Sequence, residues 1–243
     1  MNKKYILSGA LLALLATGCT DLDVDVKSIY TKYPDSEIAI EAKTSDVYYA
    51  FGGPLTRRYN ELITFSTDEA MGVSFDGDYF DSGNNSHPSL HNSMANDACI
   101  GWYGDLAGGI TKCNQVIVDL GGDDVSPTAI APVRAARAFY HFILMDCFGD
   151  VPILDRIPDE EEAVARAPRA DVARWIETEL LAIRDDMTTD VNIATYGKPT
   201  RWMVDALLAK LYINWNVYTQ DVTKASWSAT ASNEKLDACI AAC

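Results

Sequence analysis

Basic residues are scarce in this sequence, and their scarcity excludes several classes of partner. Lysine and arginine number 20 against 35 aspartates and glutamates, which gives the 243-residue chain a formal net charge of −15. A surface with this charge repels phosphate backbones and offers no basic patch to an anionic lipid surface. We therefore expect no nucleic-acid binding and no electrostatic attachment to a membrane.

Metal-binding patterns and a disulfide framework are also missing. The chain has only three histidines, and its six cysteines, at positions 19, 99, 113, 147, 239 and 243, form no Cys-x-x-Cys pair. Asp76, Asp78 and Asp81 lie near glycines, but their spacing is not that of an EF-hand, so calcium binding is the less favoured alternative. We expect no metal and no cofactor, and we expect buried free thiols after Cys19.

Apolar residues, by contrast, are abundant. They make up 48% of the chain, with five tryptophans and twelve tyrosines among them. This content excludes disorder as the dominant state, and it is ample for the core of a domain of this length.

The N-terminal residues have the features of a targeting signal. Lys3 and Lys4 precede an apolar run over residues 6–16, which is too short to span a bilayer. The sequence Leu-Ala-Thr-Gly-Cys that ends at Cys19 resembles a lipobox, where bacterial lipoprotein precursors are cleaved and acylated. We predict a lipoprotein signal peptide over residues 1–18, lipidation of Cys19 and a tether over residues 19–34. An ordinary secretory signal with a chance cysteine is the alternative.

Helical periodicity dominates the body of the chain, with a long exception. The spacing of the residues on one face predicts a first helix over residues 35–51. Asp35 or Ser36 would cap its start, and the two glycines that follow residue 51 would end it. Its predicted buried face is Ile38, Ala42, Ser45 and Tyr49. Residues 71–96 are rich in glycine, asparagine and aspartate and have no helical period, which predicts a long loop.

Two helical hairpins are predicted next. In the first hairpin, the second helix is predicted to begin at Pro132. The predicted buried residues of its first helix are Trp102, Leu106, Ile110, Cys113, Ile117 and Leu120. Those of its second helix are Ala135, Ala138, Phe142 and Met145. In the second hairpin, the second helix is predicted to begin near Pro199. The predicted buried residues of its first helix are Val172, Ile176, Leu180, Ile183 and Met187. Those of its second helix are Trp202, Ala206, Ala209 and Ile213. Paired alanines in both second helices favour the close helix contacts of tetratricopeptide-like repeats.

The chain is therefore expected to be all-α, with long irregular loops between the hairpins. Trp102, Trp175, Trp202 and Trp215 fall on periodic faces and are predicted to lie in the core. A last helix from about Asn233, with the face Leu236, Cys239, Ile240 and Cys243, stops without a cap. It indicates a chain truncated at its C-terminus.

One stretch is specific to a family. Residues Arg134–Pro152, RAARAFYHFILMDCFGDVP, resemble the signature helix and turn of SusD/RagB-like outer-membrane lipoproteins. Three further pieces resemble other helices of that family in the family's order: residues 102–114, 175–180 and 197–214. With the lipobox and the Ser66–Glu69 segment, the resemblance covers the whole chain and implies an incomplete, N-terminal SusD-like helical domain over residues 35–243.

The resemblance also implies a function. Such proteins bind glycans at the cell surface and act without catalysis, as a lid on a TonB-dependent outer-membrane transporter of the SusC type. The chain would be held at the outer membrane by its lipid anchor, facing the cell surface. A periplasmic or surface protein-binding scaffold of tetratricopeptide type is the alternative. A hydrolase is disfavoured because Asp68-Glu69 and Asp159–Glu162 are contiguous instead of facing each other across a cleft.

The predicted ligand site lies in the loop between residues 75 and 85. This segment is polar and glycine-rich, so burial alone does not explain its aromatic residues, and the resemblance implies ligand contacts in this region. Tyr79 is the preferred stacking platform because its hydroxyl can remain in water. The alternative is a loop pinned to the scaffold by its own aromatic rings. The candidate ligand-binding residues are Phe75, Asp78, Tyr79, Phe80 and Asn84.

Overall fold

The structure, a computed structural model, describes residues 37–49, 51, 59–71, 97–122 and 127–243. All of them fall within Asp35–Cys243, which forms one compact unit. No strand occurs in these ranges, so the predicted all-α class is confirmed. The helices are α1 Glu37–Tyr49, α2 Asn60–Phe65, α3 Asp97–Leu120, α4 Pro127–Phe148, α5 Arg169–Ile183, α6 Arg201–Ile213, α7 Trp215–Tyr218 and α8 Leu236–Ala242.

The first predicted hairpin, α3 and α4, forms the centre of the core. Its faces are confirmed, because Trp102, Leu106 and Ile110 on α3 and all four predicted residues on α4 are buried. Glycine ends both helices as expected: Gly121 has φ 115° and Gly149 has φ 77°. The predicted start of α4 at Pro132 is wrong. The helix begins at Pro127, where no N–H donor is needed, and Pro132 lies inside it.

The two helices of this hairpin meet at a glycine. A Cβ atom on Gly109 of α3 would lie 2.6 Å from Cζ of Tyr140 on α4. The Tyr140 ring is fully buried, lies 5.0 Å from the ring of Phe51, and donates its hydroxyl to the carbonyl of Val47 at 3.4 Å. Burial, the Phe51 ring and the Val47 carbonyl therefore hold the Tyr140 ring in place.

Gly109→Ala should therefore destabilise the protein, while Gly108→Ala should not. The added methyl at position 109 overpacks the Tyr140 contact, at a cost of about 1–3 kcal/mol. Gly108 is exposed with nothing near its Cβ position, so alanine there should gain about 1 kcal/mol from helix propensity. Chemical denaturation of both variants measures the difference. Equal stabilities would show that Tyr140 can yield.

In the second hairpin, the first face is confirmed and the second is wrong. Val172, Ile176 and Leu180 of α5 are fully buried, and Ile183 and Met187 nearly so. In α6, however, Trp202 and Ile213 are 53% and 54% exposed, and Ala206 is exposed as well. α6 is apolar on nearly all sides, so the spacing of its residues does not indicate which side is buried. Packing against α5 and α8 determines the buried side. The buried apolar residues of α6 are Val204, Leu207, Leu208, Leu211 and Tyr212.

The faces predicted for the terminal helices are also wrong. In α1, Ile38 is 80% exposed and Ala42 and Ser45 are exposed, whereas Thr44 and Val47 are buried against α3 and α4. Thr44 can be buried there because its hydroxyl donates to the carbonyl of Ile40 within the same helix.

α8 begins at Leu236, later than predicted, and buries only one of its four predicted residues. Cys239 is buried, while Leu236 and Ile240 are 48% and 74% exposed and Cys243 is exposed. This seven-residue helix packs mainly on α6, and besides Cys239 only Ala238 and Ala242 among its residues are partly buried against the core. Among the other cysteines, Cys113 is a buried free thiol, as predicted, and Cys147 is half-buried. Trp102 and Trp215 are core residues and Trp175 is half-buried.

Candidate functional site

The predicted ligand residues Phe75, Asp78, Tyr79, Phe80 and Asn84 lie outside the described residues, as does Cys19. The two described stretches that flank residues 72–96 are in contact with each other. The ring of Tyr59, directly before α2, stacks on buried Trp102 of α3, with centroids 6.4 Å apart and an interplanar angle of 25°. The described residues on either side of the segment that contains the predicted ligand residues are therefore joined by the contact between Tyr59 and Trp102.

A carboxylate sits near this contact. Asp146 lies on the last turn of α4, is exposed, and accepts a hydrogen bond at 2.7 Å from the hydroxyl of Tyr218. The hydroxyl of Tyr59 approaches its other oxygen at 3.5 Å. Burial, followed by the negative charge of Asp146, raises the pKa of Tyr59 to about 12. Both hydroxyls therefore stay protonated and orient the carboxylate at neutral pH.

Sequence reasoning missed Asp146 as a site residue. The signal was present, since an acidic residue stands in the apolar run FILMDCF of the signature stretch. An oriented, exposed carboxylate beside aromatic rings can accept hydrogen bonds from a polar ligand. Tyr103 and Phe148 pack edge to face at 5.2 Å on adjoining parts of α3 and α4.

Three of the four family-like pieces of sequence meet in a buried ion network. Glu179 of α5 accepts hydrogen bonds from Arg134 Nε at 2.9 Å and Nη2 at 2.7 Å, and from Arg137 Nη2 at 2.5 Å. Arg137 also donates to the side-chain oxygen of Asn114 on α3, at 2.8 Å. Burial alone would raise the pKa of Glu179, but the two guanidinium groups outweigh it and hold the pKa below its ordinary value. The carboxylate is therefore charged at neutral pH.

The network also holds the chain that follows α4. Asn114 donates to the carbonyls of Leu154 and Arg156, both at 3.0 Å, and Arg137 donates to the carbonyl of Asp155 at 2.5 Å. These carbonyls belong to an irregular segment that has no helix to satisfy them, so the side chains take that role. Arg137 of the signature stretch, together with Asn114, thus positions the connection between the two hairpins.

His141 belongs to the same structural unit and is not a catalytic base. Its side chain is fully buried; Nδ1 donates to the carbonyl of Arg137 at 2.9 Å, and Nε2 accepts from the N–H of Leu154 at 3.0 Å. These partners assign the neutral tautomer with the proton on Nδ1. Burial lowers the pKa of His141 to about 4, partly opposed by the Arg137 carbonyl. The ring also packs 4.4 Å from that of Trp175.

Surface grooves between the described helices include two of appreciable size. One, of about 550 Å³, lies between α1, the start of α4 and the loop after α5; Ile40, Tyr48, Pro132 and Ala194 are among its lining residues. The other, of about 380 Å³, lies beside the start of α5, where Asp150, Arg169 and Asp221 line it. Across the described ranges, no three histidine, cysteine, aspartate or glutamate side chains converge as a metal site needs. No helix within those ranges has the length and apolar character needed to cross a membrane.

Comparison with known proteins identifies the fold. No protein-family model matches the chain, and no curated protein matches its sequence significantly. Among solved structures, it is similar to a laminarin-binding SusD-like protein, with 22% identity and a TM-score of 0.60 over 76% of this chain and 42% of that one. A SusD-like protein of Bacteroides fragilis matches with 16% identity and a TM-score of 0.63, over 79% and 38% of the two chains.

A SusD superfamily protein of Bacteroides fragilis matches over 86% of this chain and 43% of its own, with 20% identity and a TM-score of 0.59. The chain therefore has a SusD-like fold, and the resemblance read from its sequence is confirmed at the level of the fold. It spans about two fifths of the length of these structures.

Proposed function

We propose that the full-length protein is a cell-surface glycan-binding lipoprotein that acts with a TonB-dependent outer-membrane transporter in polysaccharide uptake and catalyses no reaction. The observation that carries the proposal is the SusD-like fold, which this chain shares with a protein described as laminarin-binding. The lipobox at Cys19 supports attachment to a membrane through a lipid. The ligand is proposed to bind the segment 75–85, which lies between α2 and α3 in the sequence.

The proposed ligand chemistry suits a sugar. Ring C–H groups lose little on leaving water to stack on Tyr79, while Asp78 and Asn84 can pair with hydroxyls that would otherwise be buried without partners. Tyr79 and Phe80 are adjacent, so in an extended segment they point to opposite sides. One of them is then expected to stack on the ligand while the other anchors the loop.

Calorimetric titration of the full-length protein with soluble glycans tests this proposal. Tyr79→Ala should weaken binding by about 1–3 kcal/mol, if stacking on a sugar resembles stacking on a base. Tyr196→Ala serves as the control, because Tyr196 is an exposed tyrosine in a different loop. Wild-type affinity in both Tyr79→Ala and Phe80→Ala would remove this loop from the site. Absence of any glycan binding would favour the protein-binding scaffold, and glycan cleavage would favour a hydrolase.

The transporter partnership has its own expected result. Affinity purification of the full-length protein from native outer membranes in mild detergent should recover a large β-barrel protein, held by the helices rather than by the loop 75–85. The same purification after mixing the protein with unrelated membranes controls for adventitious capture. If no barrel protein is recovered from the native membranes, the partnership is contradicted while the glycan titration remains independent.

A further inference from the structure

We draw no further inference here: the strongest candidate, the polar groove beside the start of α5 that Asp150, Arg169 and Asp221 line, belongs to a chain that spans about two fifths of the matched structures, and nothing in the structure shows what covers the groove in the full-length protein.

Discussion

Replacing Glu179 with alanine is expected to cost about 3–5 kcal/mol of stability, because it breaks a buried ion network from one side. The side chains of Glu179 and Arg137 are 9% and 7% exposed, and Arg134 also donates to the same carboxylate. Without the carboxylate, two guanidinium groups lose their counter-charge, and the one on Arg137 cannot reach water. Urea denaturation of Glu179→Ala measures the loss as a fall in the unfolding midpoint.

A matched control exists on the surface of the same chain. Glu162 accepts two hydrogen bonds from the guanidinium of Arg156, at 2.6 and 2.8 Å, but the Arg156 side chain is 59% exposed. Water replaces that pair when it is broken, so Glu162→Ala should leave the unfolding midpoint nearly unchanged. Glu179→Gln, which keeps the acceptor oxygen without the charge, should fall between the two. Similar losses for Glu162→Ala and Glu179→Ala would show that burial does not strengthen the pair.

The second large effect is a loss of stability on acidification that depends on His141. An unfolded histidine has a pKa of about 6.5, whereas burial lowers that of His141 to about 4. Between these values the unfolded state binds a proton that the folded state does not, so stability falls as the pH falls from about 6.5 to 4. A shift of this size corresponds to about 3 kcal/mol over the full window. Protonation would also place a hydrogen on Nε2, which faces the N–H of Leu154.

Thermal or urea unfolding measured from pH 7 to pH 5 isolates the histidine. The pKa of Glu179 is held below its ordinary value, so its network stays charged over this interval. His141→Gln should be less stable than the wild type at pH 7, and its stability should change less between pH 7 and pH 5. A variant with the same pH dependence as the wild type would mean that another group carries the transition.

The helices of the first hairpin were predictable because each carries one clear apolar stripe. Trp102, Leu106 and Ile110 recur at intervals of four, and the opposite positions of α3 are polar or glycine. Such a helix has one orientation about its own axis that buries its apolar side chains, and the helix takes this orientation when it packs in the hairpin. The glycines after α3 and α4 also have one evident use, since their positive φ angles suit few other residues.

The faces of α1, α6 and α8 were not predictable in this way. α1 carries small or weakly polar residues on several sides, and α6 is apolar nearly all round, so two rotations of each bury similar surface. Their neighbours decide between the rotations: α3 and α4 select Thr44 and Val47, and α5 and α8 select Val204 and Leu208. The same choice leaves Ile38 and Trp202 exposed, which the spacing of residues alone did not indicate.

Only part of the candidate site, likewise, could be predicted from the sequence. The sequence indicated the segment 75–85 by its composition, and that prediction stays untested because the segment lies outside the described residues. Asp146 was missed because its partners, Tyr59 and Tyr218, are 87 and 72 residues away along the chain. No local pattern reports a contact between residues so distant in sequence.

By itself, the sequence determined the helical class, the two hairpins, the glycine ends of the first hairpin and the likeness to SusD-like proteins. These follow from patterns within single helices or from motifs in a fixed order. Only the tertiary structure decided that Asn114, Arg134, Arg137 and Glu179 form one network, and that Lys198 of the loop after α5 pairs with Glu41 of α1. The physical reason is that a buried charge requires partners from other helices. Which helices approach one another is settled by the packing of the whole core.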